Sequence, residues 1–485
     1  MAAKRVAGCG RLLECVLQPL GPSSMPSSRR ISSVLILVAT ALLQAGCASL
    51  ETGGDLDRVN RELVAFTGGE LREQTASRAA LLAEPLSQES AVRVALLGSP
   101  ALQSLLASKR AEIAEAQRAG RIGNPILTYE RVREHGKTEI GRMLSIGLLE
   151  LLTLPQRRRV AAAEREAAEL RLAIAVVDEV TRVRQAWVMA VAAEQQRRYA
   201  ERVLDSATAS AELARRMEAA GNFNRLSRAR QQAFESDART QLVLRRHQAT
   251  AQREALVRAL ALDEAEAAQL RLPERLPDVP KSALAAEAVA ARANSERLDV
   301  RLADANFKAA ARRSGLGEFT TRTDIELGVI REGERRGYEV EIRLPVFDWG
   351  DLDRSALDAR TRAAASGLEA TVRAAGSHLR ESYSGYLAAH ASARTHLDEL
   401  VPLRRSIAEE NLLRYNGMLI GVFELLADAR EQVGSVMTAI EAEQQFWLAD
   451  AALQAALVGR PAAANVSAPS GGTGGAGSGG ASADH

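Results

Sequence analysis

Apolar residues recur at two different periods along this chain, and the two periods alternate in a fixed order. From Glu89 to Ala119 the apolar positions Ala91, Ala95, Leu102, Leu105, Leu106, Ile113 and Ala116 follow three- and four-residue steps, the spacing of one helical face. Asn124-Pro125 ends that pattern. A period of two follows: Ile140, Leu144, Ile146 and Leu148 oppose Gly141, Ser145 and Gly147. Ile126 to Val132 is compatible with a partner strand, and His135-Gly136-Lys137 supplies a turn, so the segment predicts a β-hairpin.

The pattern then turns helical for an unusual length. No Gly or Pro occurs from Gln156 to Ala220, nor from Asn222 to Leu272. The first run, as one helix, would be roughly 100 Å long. Gly221 stands where the chain must reverse, and glycine accepts the left-handed conformation that closes a helix. Two long helices joined by so tight a turn predict an antiparallel coiled-coil hairpin. Pro273, Pro277 and Pro280 end the return helix.

The same order then recurs. Ala283 to Arg313 carries a helical face of Leu284, Val289, Leu298, Leu302 and Ala309. Thr323, Ile325, Leu327 and Val329 alternate with Asp324 and Glu326, and Tyr338, Val340, Ile342 and Leu344 with Glu339, Glu341 and Arg343. A helix from about Asp351 to Tyr415 follows, with bends expected at Gly367, Gly376, Gly385 and Pro402. After a Gly417/Gly421 turn a return helix runs to about Val458. Shifted by two hundred residues, Gly421-Val-Phe-Glu-Leu-Leu-Ala-Asp-Ala-Arg430 lies on Gly221-Asn-Phe-Asn-Arg-Leu-Ser-Arg-Ala-Arg230 without a gap. The reading is a duplicated unit, each copy pivoting on a glycine turn. The copies span 86–272 and 283–458, with a linker at 273–282 and a Gly/Ser-rich tail at 459–485 that is expected to be disordered.

The strand alternation fits a half-buried sheet in water and equally a transmembrane barrel with an apolar outer face and a polar lumen. Two features favour the barrel: strands of about nine to eleven residues and an export signal. Four strands cannot close, because the smallest membrane barrels have about eight. A barrel therefore has to be shared between chains, and the fold class expected is an α+β membrane protein of helical hairpins and shared strands.

The export signal is at the N-terminus. Arg29-Arg30, the apolar run Ser32–Leu43 and a small-residue exit make residues 1–46 a signal peptide,, with Met25 the expected start. Ala45-Gly46-Cys47 resembles the bacterial lipobox, although Gln44 stands where leucine is usual. Lipidation of Cys47 is expected, the alternative being an ordinary cleaved signal; residues 47–85 form a polar, extended lead-in. Among 485 residues, Lys+Arg number 63 and Asp+Glu 61, and aromatics are 4%. The charges are interleaved, which gives no support to a nucleic-acid partner. The three cysteines lie at 9, 15 and 47, so the body has no cysteine metal site or disulfide framework. No cofactor motif, metal cluster or nucleophile motif is present, and the chain is not expected to be an enzyme.

Taken with Asn124-Pro125, Leu344-Pro-Val-Phe-Asp-Trp-Gly350 and Tyr415-Asn-Gly417…Phe423-Glu-Leu-Leu426, the element order over residues 85–458 resembles the TolC-type outer-membrane efflux channels. The resemblance implies a homotrimer with a twelve-stranded barrel and a periplasmic helical tunnel. It also implies a lipid-anchored place in the outer membrane and its lipids, a periplasmic adaptor protein as partner, and an inner-membrane pump of the resistance-nodulation-division type. The function implied is passive export of small molecules or metal ions. Protein secretion and a non-pore coiled-coil envelope lipoprotein are the alternatives; regular hairpins argue against the latter.

By the same resemblance Glu424 falls at the first acidic position of a constricting ring. Ala427 replaces the second acid, and Asp428 lies one residue beyond. Both carboxylates could equally be a solvated helix face. Gly221, Phe223, Leu226, Gly421, Phe423 and Leu426 mark the turns assigned to adaptor docking, where the two Phe residues could also staple each turn locally. Asp324, Glu326, Glu339 and Glu341 would line the barrel lumen. Tyr129 and Tyr338 fit an interfacial girdle or ordinary strand positions. Trp187 and Tyr386 are expected to be packing residues.

Overall fold

The computed structural model describes Leu63, Val64, Phe66, Thr67 and residues 78–134, 137–293, 297–320, 324–332, 335–344 and 346–460. The signal segment, Cys47, most of the lead-in and the tail beyond 460 lie outside these residues, as do Thr323, Pro345 and the side chain of Phe423.

The lead-in is not wholly extended. Arg78–Leu82 (α1) is helical, and Leu63, Leu82 and Leu86 are buried in the main core. The first predicted helix is two, Gln88–Gly98 (α2) and Pro100–Ala119 (α3), bent by 57°. Pro100 has no N–H to continue α2 but suits the first turn of a new helix, and Ser99 Oγ caps α3 by accepting from Leu102 N at 3.3 Å.

Ile126–Glu134 (β1) and Lys137–Gly147 (β2) form the first hairpin; Leu148 begins a short helix, Leu148–Leu152 (α4), rather than ending the strand. Leu154–Ala219 (α5) is one helix of 66 residues, and Arg225–Leu260 (α6) returns along it. Pairings such as Gln196 with Arg245 at 2.7 Å and Glu218 with Arg228 at 2.9 Å give the antiparallel register. The return helix stops twelve residues before the expected Leu272. Ala261 adopts a left-handed φ of 50°, and an Asp263/Glu266 capping box starts Glu264–Gln269 (α7), a signal that was present in the sequence.

The second half holds Ala286–Ala293 (α8), Leu298–Thr320 (α9), Ile325–Glu332 (β3), Arg335–Ile342 (β4) and Asp351–Thr395 (α10). A π-helical turn at His396–Leu400 leads into Val401–Asn416 (α11), and Val422–Leu457 (α12) returns. Gly367, Gly376 and Gly385 leave α10 continuous. The irregularity precedes Pro402 instead, because proline cannot donate to the carbonyl one turn back and the helix widens there.

The strands form one sheet in the order β1-β2-β3-β4 with every neighbouring pair antiparallel. The hairpins, far apart in sequence, are therefore adjacent, and β1 and β4 are edges.

The main core surrounds the middle of α5, where Val176, Val180, Val183 and Val188 are almost wholly buried. Trp187 is 2% exposed and its Nε1 donates to Leu86 O at 2.7 Å. A second core joins Tyr386 of α10 to Phe446 and Leu453 of α12. Tyr386 accepts from Leu284 N, Tyr383 donates to Leu284 O, and Trp447 Nε1 donates to Pro277 O at 3.0 Å. The proline-rich linker is thus packed down, with Leu276 and Val279 buried. No single helix among the described residues is long and apolar enough to cross a membrane.

Two stability predictions follow from this packing. Trp187→Phe leaves the Leu86 carbonyl unpaired and should cost about 1–3 kcal/mol, seen as a lower thermal midpoint of helical circular dichroism. Burial pushes the Asp450 and Glu443 carboxyls of α12 above the usual carboxylate range. A folded-state pKa above the unfolded value favours folding in acid, and that contribution is lost as pH rises through the raised value. Asp450→Asn should flatten the fall in stability as pH rises above 3.8, aspartate's ordinary value. An unchanged slope would show that Asp450 is not the group responsible.

Candidate functional site

The turns at the ends of the long helices are built alike. In the first, Gly221 takes φ 78°, Gly221 N donates to Glu218 O, and Asn222 N donates to Met217 O at 2.8 Å. In the second, Met418 takes φ 58°, Met418 N donates to Tyr415 O, and Leu419 N donates to Arg414 O at 2.8 Å. The left-handed residue of the second turn is thus Met418, and Gly421 is its extended N-cap, with φ −81°. The expected glycine pivot holds at Gly221 and fails at Gly421.

This shifts the correspondence between the turns. Equivalent hydrogen bonds lie 197 residues apart, as do the helix boundaries: Leu154 and Asp351, Ala219 and Asn416, Arg225 and Val422, Leu260 and Leu457. The ungapped match at two hundred residues is therefore three residues out of register. Glu424 and Asp428 correspond structurally to Ser227 and Gln231, not to Asn224 and Arg228. Ser227 and Gln231 are buried, Glu424 is exposed and Asp428 half-buried.

The two tips touch. Phe223 is 9% exposed and packs in one cluster with Val422, Tyr415 and Leu426, so it joins the turns instead of stapling only its own. Leu226 is 60% exposed, and Gly221 and Gly421 are exposed as well. Asn224 caps α6, its Oδ1 accepting from Ser227 N at 2.8 Å.

On α12, successive polar side chains reach different neighbours. Asp428 accepts from Asn411 Nδ2, and Glu431 pairs with Arg404, both on α11. Arg430 turns to α6: its guanidinium lies 4.3 Å from the Phe234 ring centroid and donates to Gln231 Oε1 at 3.2 Å. Arg430, Phe234, Gln231 and Asn411 were not singled out in the sequence. Only the recurring Arg230/Arg430 drew attention to the region, and their roles differ. Glu424, in the first turn of α12, sits favourably at the positive end of the helix dipole.

At the other end, the strand register sorts the sheet into two faces. One carries Leu127, Leu144, Val329 and Tyr338 in one row, Ile146, Leu327 and Val340 in the next, and Ile325 with Ile342 beyond. These side chains are largely exposed, Tyr338 at 80%. On the opposite face Glu326 stands directly across from Glu341, and Glu339 across from Gly328. Asp324 is not in a strand. It precedes β3, its carbonyl accepting from Arg343 N at 3.0 Å, beside a cleft lined by Glu150, Arg157 and Phe347 at the foot of the sheet. Among the described residues no group of three or more His, Cys, Asp or Glu side chains could hold a metal ion.

No protein-family model and no curated protein sequence matches the chain. Solved structures do. The outer membrane protein VceC of Vibrio cholerae aligns at a TM-score of 0.63 and 17% identity, over 77% of this chain and 96% of its own. CusC, described in connection with transmembrane channel formation, aligns at 0.64 and 14%, over 80% and 95%. The MtrE outer membrane channel of Neisseria gonorrhoeae aligns at 0.61 and 17%, over 77% and 89%. These are channel proteins rather than enzymes, and the fold of this chain is that of the TolC-type outer-membrane channels.

Proposed function

We propose that three copies of this chain form an outer-membrane export channel, each giving four strands to a shared twelve-stranded barrel and two coiled-coil hairpins to a periplasmic tunnel. The observation that carries this reading is the open sheet: four strands with free edges, one face apolar and exposed, the other bearing Glu326, Glu339 and Glu341. A lone sheet of this kind is unstable in water, whereas closure in a bilayer satisfies its edges and buries its apolar face. The long helices support association between copies. α5 buries one face from Val160 to Ala214, while α11 has no buried residue and exposes Leu403, Leu412 and Leu413, a surface for a neighbouring copy. The matched hairpin lengths fit an origin by duplication.

In this channel Cys47 carries the lipid that anchors the N-terminus, and Glu326, Glu339 and Glu341 face the lumen, with Asp324 at the barrel's base. The tips bearing Gly221, Phe223, Leu226, Gly421, Phe423 and Leu426 dock a periplasmic adaptor that couples the channel to an inner-membrane pump. Glu424 forms the acidic constriction. Asp428 acts differently, tying α12 to α11 through Asn411. Arg430 ties α12 to the first hairpin and holds the mouth narrow. A non-pore scaffold has no use for the alternating hairpins.

Purified trimers should conduct in planar bilayers; folded, outer-membrane-located trimers without conductance would sink the channel reading. Three copies of Glu424 in a narrow mouth attract cations, so Glu424→Gln should lower cation selectivity and block by multivalent cations, and unchanged values would remove Glu424 from the constriction. Arg430→Ala should favour the open mouth. The lost cation–π contact and hydrogen bonds are worth about 1–2 kcal/mol, about a fivefold to thirtyfold shift in the open-to-closed ratio, read as single-channel open probability.

A further inference from the structure

The apolar face of the sheet does not run unbroken to the hairpin tips. One row beyond Leu127, Leu144, Val329 and Tyr338, the register places Tyr129, Arg142, Arg331 and Arg336 side by side. Arg131 stands in the row above, paired with Ile140. The row spans all four strands, and its three arginines are consecutive neighbours on β2, β3 and β4. Directly opposed like charges sit about 5 Å apart and repel. All four arginines are exposed, and none of their side chains forms an ion pair or hydrogen bond with another described residue. The nearby carboxylates Glu130 and Glu332 belong to the opposite face.

A like-charge row across a sheet, about 7 Å along the strands from an apolar row, requires an anionic counterpart that is itself continuous with an apolar phase. We propose that Arg142, Arg331 and Arg336 form a docking row for the phosphates of membrane lipid headgroups, with the acyl chains lying against Leu144, Val329 and Tyr338. Guanidinium forks bind phosphate oxygens bidentately, and the arginine stems cover apolar surface while the charges reach the interface. The row sets the depth of the barrel and selects phosphate-rich anionic lipid. It rests on the channel reading above, which puts this face toward lipid.

The test reconstitutes the full chain into mixed phosphatidylcholine and phosphatidylglycerol vesicles, re-extracts it gently and measures the lipids retained. Phosphatidylglycerol should be enriched around the native protein, and the enrichment should fall about fivefold for each arginine of Arg142→Gln, Arg331→Gln and Arg336→Gln. Arg335→Gln, on the opposite face, should leave it unchanged, and millimolar inorganic phosphate should not displace the lipid. Equal loss in Arg335→Gln, or displacement by inorganic phosphate, would overturn the docking row in favour of a diffuse charge effect. A changed oligomeric state without changed enrichment would make the face a contact between copies and overturn it too. Conductance without enrichment refutes only this inference, whereas failure to insert into any bilayer refutes the channel reading itself.

Discussion

Equality of length between the two helical hairpins is the constraint on which the rest depends. Each outgoing helix and each return helix begins and ends 197 residues from its counterpart. Because helix rise is fixed at about 1.5 Å per residue, hairpins that leave β2 and β4 of one sheet and have equal lengths bring their turns to one level. Phe223 can then meet Val422, Tyr415 and Leu426, and Arg430 can reach Phe234 and Gln231. A difference of one turn, about 5.4 Å, would separate these groups. Local turn chemistry is subordinate to that constraint. The second turn uses Met418 in a left-handed conformation that costs a non-glycine residue about 1–2 kcal/mol, and a glycine three residues away did not relieve it.

Packing is unequal despite equal lengths. The main core gathers on α5, drawing in α2, the lead-in residues Leu63 and Phe66, and the end of α6. The second hairpin has a smaller core of aromatic rings in stacked, tilted and edge-on contact, Tyr383, Tyr386, His390, Phe446 and Trp447, fastened to carbonyls of the linker and of Leu284. Toward its tip α11 has no buried residue, and between the aromatic core and the small cluster around Val422 it meets α12 through polar contacts such as Arg404–Glu431 and Asn411–Asp428. Exposed ion pairs contribute little individually, so the second tip is the part of the two hairpins that can shift at least cost. The π-helical turn before Pro402 lies where the well-packed stretch gives way to this loosely held one.

The sequence by itself determined the elements: a hairpin before each long helix, glycine-free runs whose length excluded a conventional core, and the reversals near Gly221 and Gly421. These follow from local chemistry, namely periodicity and the backbone limits of glycine and proline. Local signals also sufficed where they were missed, at Pro100 and at the Asp263/Glu266 box. Tertiary structure alone decided what depends on distance between remote segments. It placed β2 beside β3, set the register that gathers Arg142, Arg331 and Arg336 into one row, and fixed the correspondence of the turns at 197 residues. An ungapped sequence match rewards identical letters, Gly with Gly and Phe with Phe, whereas the backbone matches hydrogen-bonded positions. That is why Glu424 aligned with Asn224 by letter and stands with Ser227 in space.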